Sequence, residues 1–402
     1  MANIKDKTLA VMQKNRREKD GFQYTVPSAD SYPYQWFWDS CFHAIILSHF
    51  NTEDSKKELR SLTSKQFENG LFPHVIYWEK HEVLPVNWGV EGTSSLAQPP
   101  IIAYAVWQIF QKDKDRGFLT EMYPKLAKYY RHLLTRDPRV HHLVGIINPD
   151  ESGEDNSPRF DLALGLPPVH KIEENNRKRF ELFDKNIECK FDAANCMSNF
   201  FWVKDVAFNS YLVENLAVLA DIAHELNQED DTAYFTGQVD LVKDAMRKLM
   251  YEDGIFWTTC GPDYEKVKIK TWATFAPLVA NIYTKEEAEN LVRNHLKNGK
   301  EFRTKYLVPT VATNEESFNP NETKWGDPWQ HPNWRGPIWM ASNWFLYRAL
   351  KNYNFEEEAE MIKKHSFELL EKSGFREYYH PETGIGMGAE GFTWGGLMVD
   401  MG

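Results

Sequence analysis

Long apolar runs are missing from this 402-residue chain, although 42% of its residues are hydrophobic. No stretch approaches the roughly 18 consecutive apolar residues of a membrane-spanning helix, so no membrane partner is expected. The opening segment, MANIKDKTLAVMQKNRREKDGF, lacks the apolar core and small-residue cleavage site of a secretory signal. Cysteine is scarce, and Cys41, Cys189, Cys196 and Cys260 include no C-x-x-C pair. Neither a zinc site nor a disulfide framework is therefore expected, and a reducing cytoplasm is the simplest setting. Cys41 and Cys260 lie among aromatics and read as core fillers. Positive charge is also short: 47 basic residues against 58 acidic ones leave a net charge of −11, which argues against nucleic acid as a partner. The calcium-loop pattern D-x-[DN]-x-[DN]-G and a D-D-x-x-D cluster are both absent, so no metal and no other cofactor is expected. No motif recurs at a fixed period, which disfavours a solenoid.

What the chain has is helical periodicity. Apolar spacing predicts helices over 4–16, 38–50, 54–68, 95–111, 118–135, 206–226, 232–251, 274–282, 285–296, 337–352, 355–373 and 393–401, mostly in pairs with short links. Strand signals are few and short, as at 254–258 and 307–312. About six helical hairpins suggest an all-α (α/α)6 barrel, two concentric rings around one core, spanning 1–402 as a single domain. Aromatic, Gly- and Pro-rich loops alternate with the helix pairs and should share one face of the toroid. Residues 156–209, patternless apart from a charged piece at 171–184, read as a cap or binding insertion.

Two acidic loops carry the chemistry. In 148–161 (NPDESGEDNSPRFD), Asp150, Glu151, Glu154 and Asp155 crowd into six positions, with Asp161 close behind. Crowding of like charge should raise the pKa of at least one, as a proton donor near neutral pH requires; a solvated acidic loop is the plainer alternative. In 374–394, Glu377 sits between Arg376 and two tyrosines in a Gly-rich loop, suited to be a base, whereas Glu382 is a solvated turn residue. Fourteen tryptophans concentrate in loops, among them Trp36, Trp38, Trp78, Trp88, Trp325, Trp329, Trp334 and Trp339. As a group they offer flat walls for a small carbohydrate, and singly each could be a rim-of-core residue. Two separated carboxylates facing each other across a barrel mouth is the arrangement glycoside hydrolysis needs.

Residues 32–40 (YPYQWFWDS), 93–100 (TSSLAQPP), 151–161 (ESGEDNSPRFD), 334–339 (WRGPIW), 377–381 (EYYHP) and 392–394 (FTW) resemble, in order, the motifs of glycoside hydrolase family 63. The likeness is greatest to its small bacterial members acting on mannosylglycerate and glucosylglycerate. The resemblance implies an (α/α)6 barrel and an inverting α-glycosidase acting on a small α-glucoside or α-mannoside. It implies Asp155 as general acid and Glu377 as general base, with carboxyl groups roughly 6.5–9.5 Å apart. Asp39 and Gln98 would contact the glycone, walled by Tyr32, Trp36, Trp38, Trp334, Arg335 and Trp339, while His74 and Tyr77 would lie nearer the leaving group. Glu151 and Glu154 would keep Asp155 protonated or bind Arg159, serine or loop backbone. The arginine pattern that would hold a glycerate carboxylate is not evident in 188–203; Lys190, Arg177 or Arg179 could substitute, and a neutral leaving group stays open. An inverting phosphorylase and a non-catalytic carbohydrate-binding protein on the same scaffold are the alternatives.

Overall fold

Helix α2 (Phe37–Ser48) shows why a ring forms: every one of its residues is buried, so it must be surrounded by other helices. The computed structural model describes residues 2–79, 89–321 and 332–402. Among them the helices are α1 (Ala2–Asn15), α2, α3 (Thr52–Thr63), α4 (Ile102–Asp113), α5 (Arg116–Leu134), α6 (Asp161–Leu164), α7 (Ile172–Glu188), α8 (Ala193–Asn199), α9 (Val206–Glu225), α10 (Glu229–Leu249), α11 (Lys285–Leu291), α12 (Met340–Asn352) and α13 (Glu356–Ser373). Two 3-10 segments, Trp272–Leu278 and Thr393–Val399, stand where the sequence predicts α-helices. Pro277 removes a donor in the first, and Gly395 and Gly396 weaken the second.

An inner ring runs α2, α4, α9, Trp272–Leu278, α12, Thr393–Val399 and back to α2, each member packed on the next. The six outer members are α1, α3, α5, α10, α11 and α13. Close approach at the seam requires glycine: a Cβ on Gly396 would stand 3.0 Å from Ile46 Cδ1 and from Thr8 Cγ2. This closed double ring is the expected (α/α)6 barrel. Helix α9 is long and apolar enough to cross a membrane by length and composition, but 78% of its most apolar window is buried.

Boundaries shift where proline intervenes. The helix expected from 95 begins only at Ile102, because Pro99 and Pro100 lack the donors a helix needs and keep the residues before them out of the helical region. The run 285–296 is α-helical to Leu291 and then widens into a π-turn over Val292–Leu296. The expected strand at 307–312 reduces to one bridge, Val311 to Thr271.

Short antiparallel pieces connect the helices: β1 (Arg16–Lys19), β2 (Phe22–Thr25), β3 (Gln35–Trp36), β4 (Val75–Ile76), β5 (Gly89–Val90), β6 (Thr93–Ser94), β7 (Val203–Lys204), β8 (Tyr251–Glu252), β9 (Ile255–Phe256), β10 (Thr259–Cys260), β11 (Glu265–Lys266), β12 (Arg376–Tyr379) and β13 (Gly386–Glu390). The largest sheet has the order β3-β4-β6-β5, and β12 pairs with β13.

The insertion 156–209 is more ordered than its sequence suggests, since it contains α6, α7, α8 and β7. Cys189, at the end of α7, and Cys196, in α8, form a disulfide with Cα atoms 5.4 Å apart. That corrects the expectation of four unpaired thiols: a tight turn between two helices brings the pair together, and no spacing rule reveals it. Cys41 is buried and free, and Cys260 is free and half-buried.

Candidate active site

The acidic loop owes its shape to local rules. Asn148 caps a 3-10 turn, Pro149–Ser152, by accepting from Asp150 N, and Gly153 ends it at φ 71. Any side chain there would run into the indole of Trp38, 2.6 Å from a Cβ. The turn points its carboxylates in different directions, towards four arginines. Glu151 pairs with Arg136 at 2.6 Å and accepts from Ala97 N and Ile147 N. Glu154 pairs with Arg159 at 2.6 Å and accepts from Trp272 Nε1. Asp161 pairs with Arg335 at 2.7 Å. Asp150 and Asp155 share Arg179, from α7, at 2.5 and 2.6 Å.

Crowding therefore acts less than the sequence implies. Burial pushes the Asp155 carboxyl up, the Arg179 guanidinium opposes that rise, and Asp150 adds to it. Asp155 keeps 30% of its side-chain surface open, and that surface faces a pocket of about 310 Å³.

Glu377 enters the same pocket from β12, where the register with β13 shifts between Arg376 and Tyr378; such a bulge re-aims a side chain. Its Oε1 accepts from Tyr32 Oη at 2.8 Å and its Oε2 from Ala389 N at 2.8 Å. Gly388, at φ 63, leaves the room this needs, because a Cβ would sit 2.4 Å from Glu377 Oε2.

Asp39 is 4% exposed in the first turn of α2 and accepts from Trp394 Nε1 at 2.6 Å. Burial pushes its carboxyl up to about 6, which His43 and the Trp394 hydrogen bond partly oppose. Gln98 holds the start of the same helix by accepting from Trp38 N at 3.1 Å. His74 is hydrogen-bonded through Nδ1 to Ser94 Oγ, and burial, then Arg179, lower its pKa to about 3, so it is neutral. The aromatic wall is a stack of Trp334 on Trp339, centroids 4.1 Å apart at 6°, with Trp394 tilted at 53° against Trp339 and Trp38 edge-on to Trp394. Trp334 N donates to Asn156 Oδ1 at 3.0 Å, which ties this wall to the acidic loop.

Ten of the twelve residues singled out from sequence line this pocket: Tyr32, Trp36, Trp38, Asp39, His74, Gln98, Asp155, Trp334, Trp339 and Glu377. Tyr77 and Arg335 do not. Tyr77 packs edge-on against Tyr34 at 4.5 Å in a satellite core, and Arg335 is consumed by Asp161, Asn156 O and Pro168 O. Trp78 packs on Phe22 and Tyr24 instead of the pocket. Trp88, Trp325 and Trp329 lie outside the described residues. Of the cations weighed, Arg179 reaches the pocket, whereas Arg177 pairs with Glu181 outside it and Lys190 lines a different cleft. Sequence reasoning passed over Asn176, Phe180 and Phe183, which α7 presents beside Arg179. Their signal was the i, i+3, i+4, i+7 spacing from Asn176, hidden in a highly charged helix. Among the described residues, the acidic cluster with metal-like spacing, Glu53, Asp113 and Asp115, surrounds the Lys56 ammonium and lines no part of the pocket.

Two carboxylates, an aromatic wall and one arginine in a single pocket at the mouth of this barrel agree with the comparison to known proteins. The family model of the mannosylglycerate hydrolase MGH1-like glycoside hydrolase domain matches residues 32–395. The chain belongs to that family. Mannosylglycerate hydrolase of Thermus thermophilus is 32% identical over 98% of this chain and 99% of its own length. Glucosylglycerate hydrolase of Mycolicibacterium hassiacum is 26% identical over 90% of each. The crystal structure of a family 63 mannosylglycerate hydrolase from Thermus thermophilus, in complex with Tris and D-glycerate, superposes with a TM-score of 0.88 at 29% identity, covering 99% of both chains. As a member of this family the protein is a glycoside hydrolase, an inverting α-glycosidase.

Proposed function

We propose that this inverting α-glycosidase cleaves an α-mannosyl or α-glucosyl glycerate, with Asp155 as general acid and Glu377 as general base. The observation that carries the reading is the arginine: Arg179 projects from α7 into the same pocket as both carboxylates. It supplies the cation that a carboxylate-bearing leaving group needs, in place of the arginine pattern that 188–203 lacks. The Thermus relative holds D-glycerate, which supports a leaving group of this kind.

In the reaction, Glu377 takes a proton from water, and the hydroxide so formed attacks the anomeric carbon. The carbon–oxygen bond to the leaving group breaks on the opposite face, and Asp155 delivers its proton to the departing oxygen. Tyr32 and Ala389 N hold the Glu377 carboxylate in place. Asp39 and Gln98 are the polar anchors for glycone hydroxyls, and the Trp334–Trp339 stack offers an apolar wall for the sugar ring.

The test is turnover of mannosyl and glucosyl glycerate followed by proton NMR. The β-anomer should appear first, without added phosphate. Asp155→Asn and Glu377→Gln should each lower kcat by about a hundred- to ten-thousandfold with unfolding midpoints unchanged. An initial α-anomer, or turnover that requires phosphate, would overturn the mechanism.

A further inference from the structure

Arg179 uses two different edges for its two acids. Its Nε and Nη2 go to Asp150, at 2.9 and 2.5 Å, while Nη1 goes to Asp155 Oδ2 at 2.6 Å. The guanidinium is only 11% exposed. It is thus anchored by Asp150 and has one edge on the residue that must donate a proton. The cation favours the carboxylate form of Asp155 and so opposes the rise that burial causes, and a carboxylate cannot protonate a leaving group.

We infer that Arg179 is shared between the acid and the leaving group: an anionic leaving group takes over the Nη1 edge, and Asp155, released, binds the proton it then donates. The inference rests on the glycerate reading above and goes beyond it, because it makes leaving-group charge control the chemical step as well as binding. Asp150 is a positioning residue in this scheme. Its bidentate hold keeps the guanidinium in the pocket while the other edge changes partner. The proton that Asp155 gains comes from solvent and goes to the glycosidic oxygen, and the one Glu377 removes comes from the attacking water, so the cycle returns both groups to their starting forms once Glu377 gives its proton back to solvent.

Other charged or titratable groups around Asp155 do not duplicate the role. Glu154, its neighbour, is turned to Arg159, and His74 is neutral. Tyr32 donates to Glu377, and Asp39 is held by Trp394. Of the cations among the described pocket-lining residues, Arg179 stands alone.

Two measurements test this. In the unaltered protein, D-glycerate binding should take up a fraction of a proton, read from calorimetric enthalpies in buffers of different ionisation heat; glycerol should take up none. In Arg179→Met, kcat on the neutral α-glycosyl glycerol should rise about tenfold, the change in protonated fraction that one opposite charge at this range produces. In the same variant kcat on the glycerate glycoside should fall, and the basic limb of kcat/KM should move to higher pH. Zero proton uptake, or equal losses of kcat on both substrates with an unmoved basic limb, would overturn the switch while leaving the glycerate reading intact. Failure of the unaltered protein to cleave glycerate glycosides or bind D-glycerate would overturn both.

Discussion

Asp39 shows how one residue couples burial to ligand binding. Its carboxyl is taken out of water at the head of α2 and rises to about 6, with Trp394 Nε1 as its hydrogen-bond donor. A carboxylate accepts sugar hydroxyls with both oxygens, whereas the protonated form loses part of that capacity. Binding should therefore weaken as pH falls through about 6. The neutral α-glycosyl glycerol draws no proton to Asp155, so its dissociation constant measured in Glu377→Gln, which does not turn it over, isolates the effect. A constant that stays flat through this range would refute the assignment. In the unliganded protein the same shift has the opposite consequence. A raised carboxyl favours the folded state at low pH, fully so below its unfolded value, and the contribution is lost as pH rises through about 6.

Helix α7 brings Asn176, Arg179, Phe180 and Phe183 to the pocket, and it was the element least legible in the sequence. The inner helices announce themselves by continuous apolar faces, and the outer ones by amphipathic spacing. That Asp155, Glu377 and most of the aromatic wall line one pocket was legible because these residues sit in compact motifs. Helix α7 buries only Ile172, Asn175, Leu182, Phe183 and Asn186, too sparse a stripe to stand out among its charges. What orders it is tertiary: Arg179 binds across to the acidic loop, Asn186 bonds Asn148 and Ile147 O, and Cys189 is bridged to Cys196. Arg335 and Tyr77 were misplaced for the converse reason, since a motif position shows proximity to a site but not which way a side chain turns. The bridge closes a short loop, so Cys189→Ser with Cys196→Ser should make local opening of the α7–α8 segment easier by about 2 kcal/mol in the chain-entropy account. Amide exchange should quicken at the α7–α8 junction while the α2 and α9 amides keep their protection. Uniform loss of protection across the ring would show that α7 is not the separately anchored element described.

At the scale of the whole molecule, closure makes distant parts of the chain one structure. The two ends meet where Thr393–Val399 packs between α1 and α2, and the same 3-10 segment carries Trp394, which holds Asp39 in the pocket. A defect at that seam should therefore be felt everywhere. Gly396→Leu forces a side chain into space where even a Cβ would stand 3.0 Å from Ile46 and Thr8, and overpacking of this kind costs about 1–3 kcal/mol. If 1–402 is one cooperative domain, urea unfolding followed by tryptophan fluorescence and by far-ultraviolet circular dichroism should shift to a lower midpoint together, as one transition. Fourteen tryptophans, many of them in the pocket wall, report on the site, while dichroism reports on both helical rings. Two separated transitions would mean that the pocket can open while the outer helices persist, and that the barrel is not the single unit its closed ring implies.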